Sequence, residues 1–198
     1  MTTLLLLAAL LSAPSPAKTV SQMGIPYVTD DKAGPPDLIE ALRARRPGHQ
    51  LWYLDRMLLN SPNFAKGWNT MFGAIRGQLS LPGKLREIPI MAIAVMNKAD
   101  YEWAAHEPEF LKAGGTKEQL AALQKLQGDP KLFDETERAA LQLSIEMTRE
   151  VKPKQATIDQ LRKLLPDSQL VELIGTIAAY NMVSRFLLAT GVDLEATP

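Results

Sequence analysis

The sequence predicts an all-α fold, a single-domain bundle of about eight or nine helices. Three observations predict it. From Pro36 onward, apolar residues recur at three- and four-residue spacing, as one buried helix face requires. No stretch alternates polar and apolar residues as a half-buried strand does. The 198 residues and the 46% hydrophobic content suit one globular domain with a sizeable core, and no solenoid-length repeat divides the chain.

In order, the chain opens on "LLLLAALLSA" from Leu4 to Ala13, an apolar run of ten residues. A membrane span needs about 20 residues, so this run reads as the core of a secretory signal. "SPA" at Ser15–Ala17 supplies small residues for cleavage, although "MTT" ahead of the run carries no basic residue. The alternative is a true start at Met23 in "MGIPYV". Residues 1–17 are therefore set apart as a signal peptide: the mature protein is secreted or periplasmic if it is real, and cytoplasmic otherwise. Residues 18–36 hold Gly24, Pro26, Gly34, Pro35 and Pro36 and read as an extended arm.

The helical domain covers 37–198. "PPDLIEALRARR" begins with proline and an acid and ends in arginines, matching the polarity of a helix. "HQLWYLDRMLLNS" carries Leu51, Trp52, Leu54 and Leu58 at helical spacing. "PNFAKGWNTMFGAIRGQLS" aligns Phe64, Trp68, Met71, Phe72 and Ile75 on one face. "PGKLREIPIMAIAVMNKA" is apolar on every side from Ile88 to Met96, the mark of a central helix, with Pro89 either bending it or opening its buried part. "ADYEWAAHEPEFLK" follows and ends at "AGG", Ala113–Gly115, a helix stop. "TKEQLAALQKL" and "DETERAALQLSIEMTRE" start with the capping-box pairs Thr116/Gln119 and Asp134/Glu137. "KQATIDQLRKLL" and "PDSQLVELIGTIAAYNMVSRFLLATG" complete the set, the last closing at Gly191.

Charge and composition narrow the function. Lys plus Arg and Asp plus Glu both total 22, so no strong field draws the chain to nucleic acid or to an anionic membrane. There is no cysteine, which removes disulfides, thiolate metal sites and thiol redox chemistry together. With two histidines, His49 and His106, far apart in sequence, a metal site lacks its ligands. Phosphate-binding glycine loops and serine nucleophile elbows are absent as well.

The chemistry-bearing stretch is "ADYEWAAHEPE". Glu102 and His106, four residues apart, share one helix face, where a carboxylate can hold an imidazole for acid–base work near neutral pH. The same spacing also occurs on ordinary solvated helices. Pro108 adds a local signal: it should kink or break the helix just past His106.

In its wider frame, "LPGKLREIPIMAIAVMNKADYEWAAHEPEFLKAGGTKEQLAAL", residues 81–123, resembles the central segment of the carboxymuconolactone decarboxylase family, which includes the alkyl hydroperoxidase D proteins. The likeness lies in Leu-Arg-Glu near a helix start, an apolar run, an acidic-aromatic stretch ending in His, and a following Gly. Glu87 precedes His106 by 19 residues, similar to the family spacing. "YNMVSRFLLATGVDLE" extends the likeness more loosely. The peroxidase branch carries Cys-x-x-Cys-x-x-x-His, and here those thiol positions hold Ala99 and Glu102. The missing thiols conflict with peroxidase chemistry. Glu102/His106 instead fits the Glu-x-x-x-His form of the decarboxylase branch.

The resemblance implies an alkyl hydroperoxidase D-like helical fold, a homo-oligomer (trimer or hexamer), and an enzyme that needs no cofactor or metal. Its substrate would be a small carboxylated or lactone-type compound, turned over by a decarboxylase, lyase or isomerase step. His106 is the proton donor, Glu102 orients it, and Glu87 is a second carboxyl able to hold a proton. Arg185, a cation in a largely apolar helix, is the candidate partner for a substrate carboxylate or, alternatively, an ion-pair partner of Glu87 or Glu172. Tyr101 and Trp103 flank Glu102 as pocket walls. A non-catalytic binding or accessory protein on the same fold is the competing expectation.

Overall fold

The structure is a computed structural model that describes residues 18–195; the signal-peptide expectation falls on residues 1–17, outside them. Among the described residues there are nine α-helices: α1 Pro36–Arg43, α2 Tyr53–Leu58, α3 Pro62–Gly77, α4 Gly83–Asn97, α5 Asp100–Lys112, α6 Lys117–Leu123, α7 Glu135–Glu150, α8 Gln155–Leu164 and α9 Asp167–Thr190. Strand pairing among them is limited to one isolated bridge, Val20 with Pro26. The all-α reading holds.

α4 is the hub and packs against α5, α7 and α9. Its apolar circumference explains why. Ile90 and Ile93 enter a large cluster with α3 and α9, while Ile88, Met91 and Ala92 enter a second cluster with Phe110, Leu123 and Phe133. A helix buried on all sides needs no polar face. Pro89 sits inside α4, which runs through it from Gly83. Lys98, in the left-handed region at φ 56°, stops the helix, and α5 starts two residues later.

Pro108 does not break its helix: α5 continues to Lys112. The carbonyl freed by the missing proline N–H belongs to Ala104. Both residues lie on the exposed side, where water can satisfy it. The stop comes instead at Ala113–Gly115, as expected. There the Phe110 ring occupies the space of a side chain on Gly115, with its Cε1 2.1 Å from where a Cβ would stand. Both capping boxes form: Gln119 N–H donates to Thr116 Oγ1 at 3.2 Å and Glu137 N–H donates to Asp134 Oδ1 at 2.8 Å.

The arm over residues 18–28 is tied down. Asp193, beyond the end of α9, accepts from Lys18 Nζ at 2.5 Å and from the Tyr27 hydroxyl at 2.9 Å. Gln22 N–H donates to the Gly191 carbonyl at 2.9 Å. Gly191 is in the left-handed region, and a Cβ there would approach Met23 N to 2.8 Å, so this seam requires glycine.

Candidate active site

Two neighbouring helices bring the central pair together. Glu87 lies in the second turn of α4 and His106 in the second turn of α5, and the short Lys98–Ala99 link folds the helices side by side. The Nδ1–H of His106 donates to Glu87 Oε2 at 2.7 Å, with both residues buried. Glu87 Oε1 accepts from Arg86 Nε at 3.1 Å. Burial alone would raise the Glu87 carboxyl, but the hydrogen bond and charge of His106, together with Arg86, outweigh it and hold the group below the usual carboxylate range. An ionised Glu87 fixes the proton of His106 on Nδ1. That leaves Nε2 as the nitrogen free of this bond.

Glu102 is placed differently from the sequence expectation. Its partner is not His106: Glu87 takes that role from the preceding helix. Glu102 is buried, and its Oε2 finds no hydrogen-bond partner. Burial pushes its carboxyl well above the ordinary value, against the pull of Arg76 and with the push of Glu87. Burial without a bonded cation favours the neutral form of the carboxyl. The two carboxyls thus exchange the expected parts. Glu87 holds the imidazole, and Glu102 is the carboxyl pushed toward its protonated form.

Both Glu102 and His106 line a cavity of about 40 Å³, room for a few water molecules or one small polar group. Its walls are aromatic: Trp52, Trp68, Phe72, Tyr101 and Tyr180. The Tyr180 ring stands edge-on to His106, with centroids 5.0 Å apart and an interplanar angle of 88°. Burial raises the phenols of both Tyr101 and Tyr180, so neither ionises near neutrality. The Tyr101 hydroxyl is buried without a partner. Tyr101 also borders a larger hollow of about 430 Å³ between the start of α5, the end of α9 and the arm, where Ala99 sits.

Of the remaining sequence candidates, Tyr101 joins the cavity wall and two do not. Arg185 is exposed and donates to Asn181 O at 2.7 Å and to Asn181 Oδ1 at 2.8 Å, one turn back on its own helix. It meets neither the cavity nor Glu87 or Glu172, because the side of α9 that carries it faces solvent. Trp103 turns to the second core cluster and donates from Nε1 to Glu107 Oε2 at 3.0 Å. Sequence reasoning missed the cations that do line the cavity: Arg45, Arg46 and Arg76. Arg45 and Arg46 looked like charges ending the first helix, yet α1 stops at Arg43 and they fall in the loop that turns onto the site. Their only sequence signal is that three arginines are more than a helix end needs. Arg46 forks onto the buried Asp55 at 2.8 and 2.6 Å and stacks 4.6 Å above Trp52. Among the described residues no three metal-ligating side chains converge.

Residues 62–145 match the model of the carboxymuconolactone decarboxylase family. Thirteen solved chains share the fold. A variant of the debrominase Bmp8 in complex with 2,3,4-tribromopyrrole superposes with a TM-score of 0.72 at 18% identity, covering 92% of this chain and 94% of that one. The alkylhydroperoxidase AhpD core, an uncharacterized peroxidase-related protein from Ralstonia eutropha JMP134, gives 0.72 at 16% identity over 85% and 90%. An uncharacterized peroxidase-related protein from Silicibacter sp. TM1040 gives 0.63 at 19% identity over 71% and 75%. At these identities the likeness is one of fold. No curated protein matches the chain. The segment that matches the family model spans α3 to α7 and contains Glu87, Glu102 and His106; it carries no cysteine and sits on an AhpD-like helical fold.

Proposed function

We propose that the chain is an enzyme that works by acid–base catalysis, without a cofactor, on a small carboxylated or lactone-type substrate, as a decarboxylase, lyase or isomerase. The observation that carries this is the unequal state of two carboxyls beside one imidazole. Glu87 is bonded to His106 and held low, whereas Glu102, unpartnered at the cavity that His106 also lines, is pushed high. Groups whose environments push their pKa values apart supply an acid and a base in one site.

In a decarboxylation the C–CO₂ bond breaks, CO₂ leaves, and the electron pair passes into a conjugated carbonyl. Glu102 then supplies the proton that forms the new C–H bond and is reprotonated from solvent. His106 Nε2, aligned by Glu87, is the second proton-transfer atom. In an isomerisation it removes the proton that Glu102 replaces elsewhere on the substrate. With no cysteine in the chain, the thiol chemistry of peroxidase-type relatives has no nucleophile here. The same reading includes a homo-oligomer, trimer or hexamer, supported by Phe64 and Met71 on α3 and Val171, Met182 and Leu188 on α9, which remain exposed.

The test is a screen of unsaturated lactone acids for CO₂ release or double-bond migration, with Glu102→Gln and His106→Ala beside the wild type. Turnover that falls about 10²- to 10⁴-fold in both variants is the expected result. Saturable ligand binding without any turnover by the wild type sinks the catalytic reading in favour of a binding protein.

A further inference from the structure

The cavity wall carries more positive charge than its own carboxylates answer. Arg46 is matched by Asp55. Arg86 is matched by Glu87, which it shares with His106. Glu102 is pushed toward its neutral form. Two guanidiniums are left over. Arg45 donates from one nitrogen to Asn69 Oδ1 at 2.6 Å and to Asn69 O at 3.2 Å, which gives it hydrogen bonds but no countercharge. The carboxylate paired with Arg76 is Glu109, 3.9 Å away, with side chains 31% and 37% exposed, a pair worth little. Burial, then the neighbouring charges of Arg46 and Arg76, pull the Arg45 guanidinium below its ordinary value. Two like charges held near each other without a counterion are stabilised by an anion between them.

The placement of the two is also informative. Arg45 and Arg76 are part-exposed, whereas Glu102 and His106 are buried, so the arginines stand at the solvent side of the cavity. The wall shared with Glu102 and His106 includes Trp68, Phe72 and Tyr180, whose faces and edges suit a flat unsaturated body. The hollow of about 40 Å³ accepts a carboxylate-sized group.

We propose that Arg45 and Arg76 form an anion-holding pair at the mouth of this cavity, fitted to the carboxylate of a small ligand with a planar, unsaturated body. This rests on the cavity being the reaction site described above. The pair is a positioning device. It holds a carboxylate that does not react, so the contact is the same in the bound substrate and in the transition state, and its loss appears in KM rather than in kcat. It replaces the cation that the sequence sought at Arg185.

Benzoate is the probe, with benzamide as its neutral counterpart of the same shape. Trp52 and Trp68 line the cavity and report binding by fluorescence. Benzoate gives a saturable change and benzamide does not. Arg45→Gln and Arg76→Gln each weaken benzoate by about tenfold or more, the scale of a lost charge-assisted hydrogen bond. Arg45→Lys, which keeps the charge, loses less than Arg45→Gln. Thermal melts establish that each variant is folded. Arg185→Gln, away from the cavity, retains benzoate affinity. Benzamide binding as tightly as benzoate, wild-type affinity in both glutamine variants, or no saturable benzoate response overturns the assignment. The two readings separate cleanly. Arginine-dependent benzoate binding in a protein that turns nothing over leaves the anion site standing and removes the catalytic one. Turnover that depends on His106, with benzoate indifferent to the arginines, does the reverse.

Discussion

The imidazole of His106 donates from Nδ1 to Oε2 of Glu87 at 2.7 Å, across two helices and 19 positions of sequence. The carboxylate one turn away on its own helix, Glu102, does not share this bond. A Glu–His pair at helical spacing is thus present in the sequence, but the pair that forms is the longer-range one.

Glu87→Gln removes the charge that answers both His106 and Arg86. Breaking a buried pair from one side costs about 3–5 kcal/mol, and a drop of that size in unfolding free energy is expected at pH 7. The Glu87 carboxyl is lowered in the folded state. Its contribution is therefore present above the unfolded carboxyl pKa, about 4.3, and is lost as pH falls through the folded value. Thermal melts from pH 7 to pH 3 should show the gap between wild type and variant narrowing below about pH 4. A gap that stays constant across that range contradicts the ion-pair assignment.

Glu102→Gln should behave in the opposite sense. Its carboxyl is raised in the folded state, so its contribution is present below the unfolded pKa and is lost as pH climbs toward the folded one. Glutamine has the same shape and stays neutral. The variant should match the wild type near pH 4 and exceed it in melting temperature by a margin that grows toward pH 8. A variant less stable than the wild type at pH 8 would show that Glu102 is an ionised, paired group.

Gly115→Ala tests the α5 stop. Its new methyl would meet Phe110 ring carbons at 2.1, 2.3 and 2.5 Å, and Phe110 is fully buried in the second core cluster. Overpacking of this kind costs about 1–3 kcal/mol, read by urea unfolding as a lowered midpoint with an unchanged slope. Gly67, where an added methyl would meet nothing within 4 Å, is the control position for the same substitution.

Arg185→Ala should change little. The side chain is exposed and bonds only to Asn181 on its own helix. Stability within about 0.5 kcal/mol of wild type and unaltered steady-state kinetics are expected. A raised KM would return Arg185 to the binding site and displace Arg45 or Arg76 from it.

Much of this architecture was legible because helices announce themselves locally. The apolar circumference of α4, the capping pairs at Thr116 and Asp134, and the glycine stops at 114–115 and 191 all depend on residues within a few positions of one another. Pro108 misled because its effect depends on which side of the helix it occupies: on the solvent side, the freed Ala104 carbonyl is harmless. The site was half legible. Its three central residues lie in one segment with a recognisable frame, but which carboxyl meets His106 depends on how α4 and α5 pack. The cavity cations were hidden for the same reason. Arg45 comes from the loop just after α1 and Arg76 from the end of α3, where arginine is an ordinary helix terminator, and only the fold turns them onto the cavity that Glu102 lines.

The seam between the arm and the end of α9 has a topological consequence. Lys18 and Asp193 are joined at 2.5 Å, and Gln22 is bonded to Gly191, so the two ends of the described chain already lie side by side. A short linker between them would close the backbone into a ring with little change in geometry. New termini could then be opened in an exposed connection such as the Asp129–Lys131 turn, far in sequence from Glu87 and His106, and the permuted protein should fold with its proton-transfer residues intact.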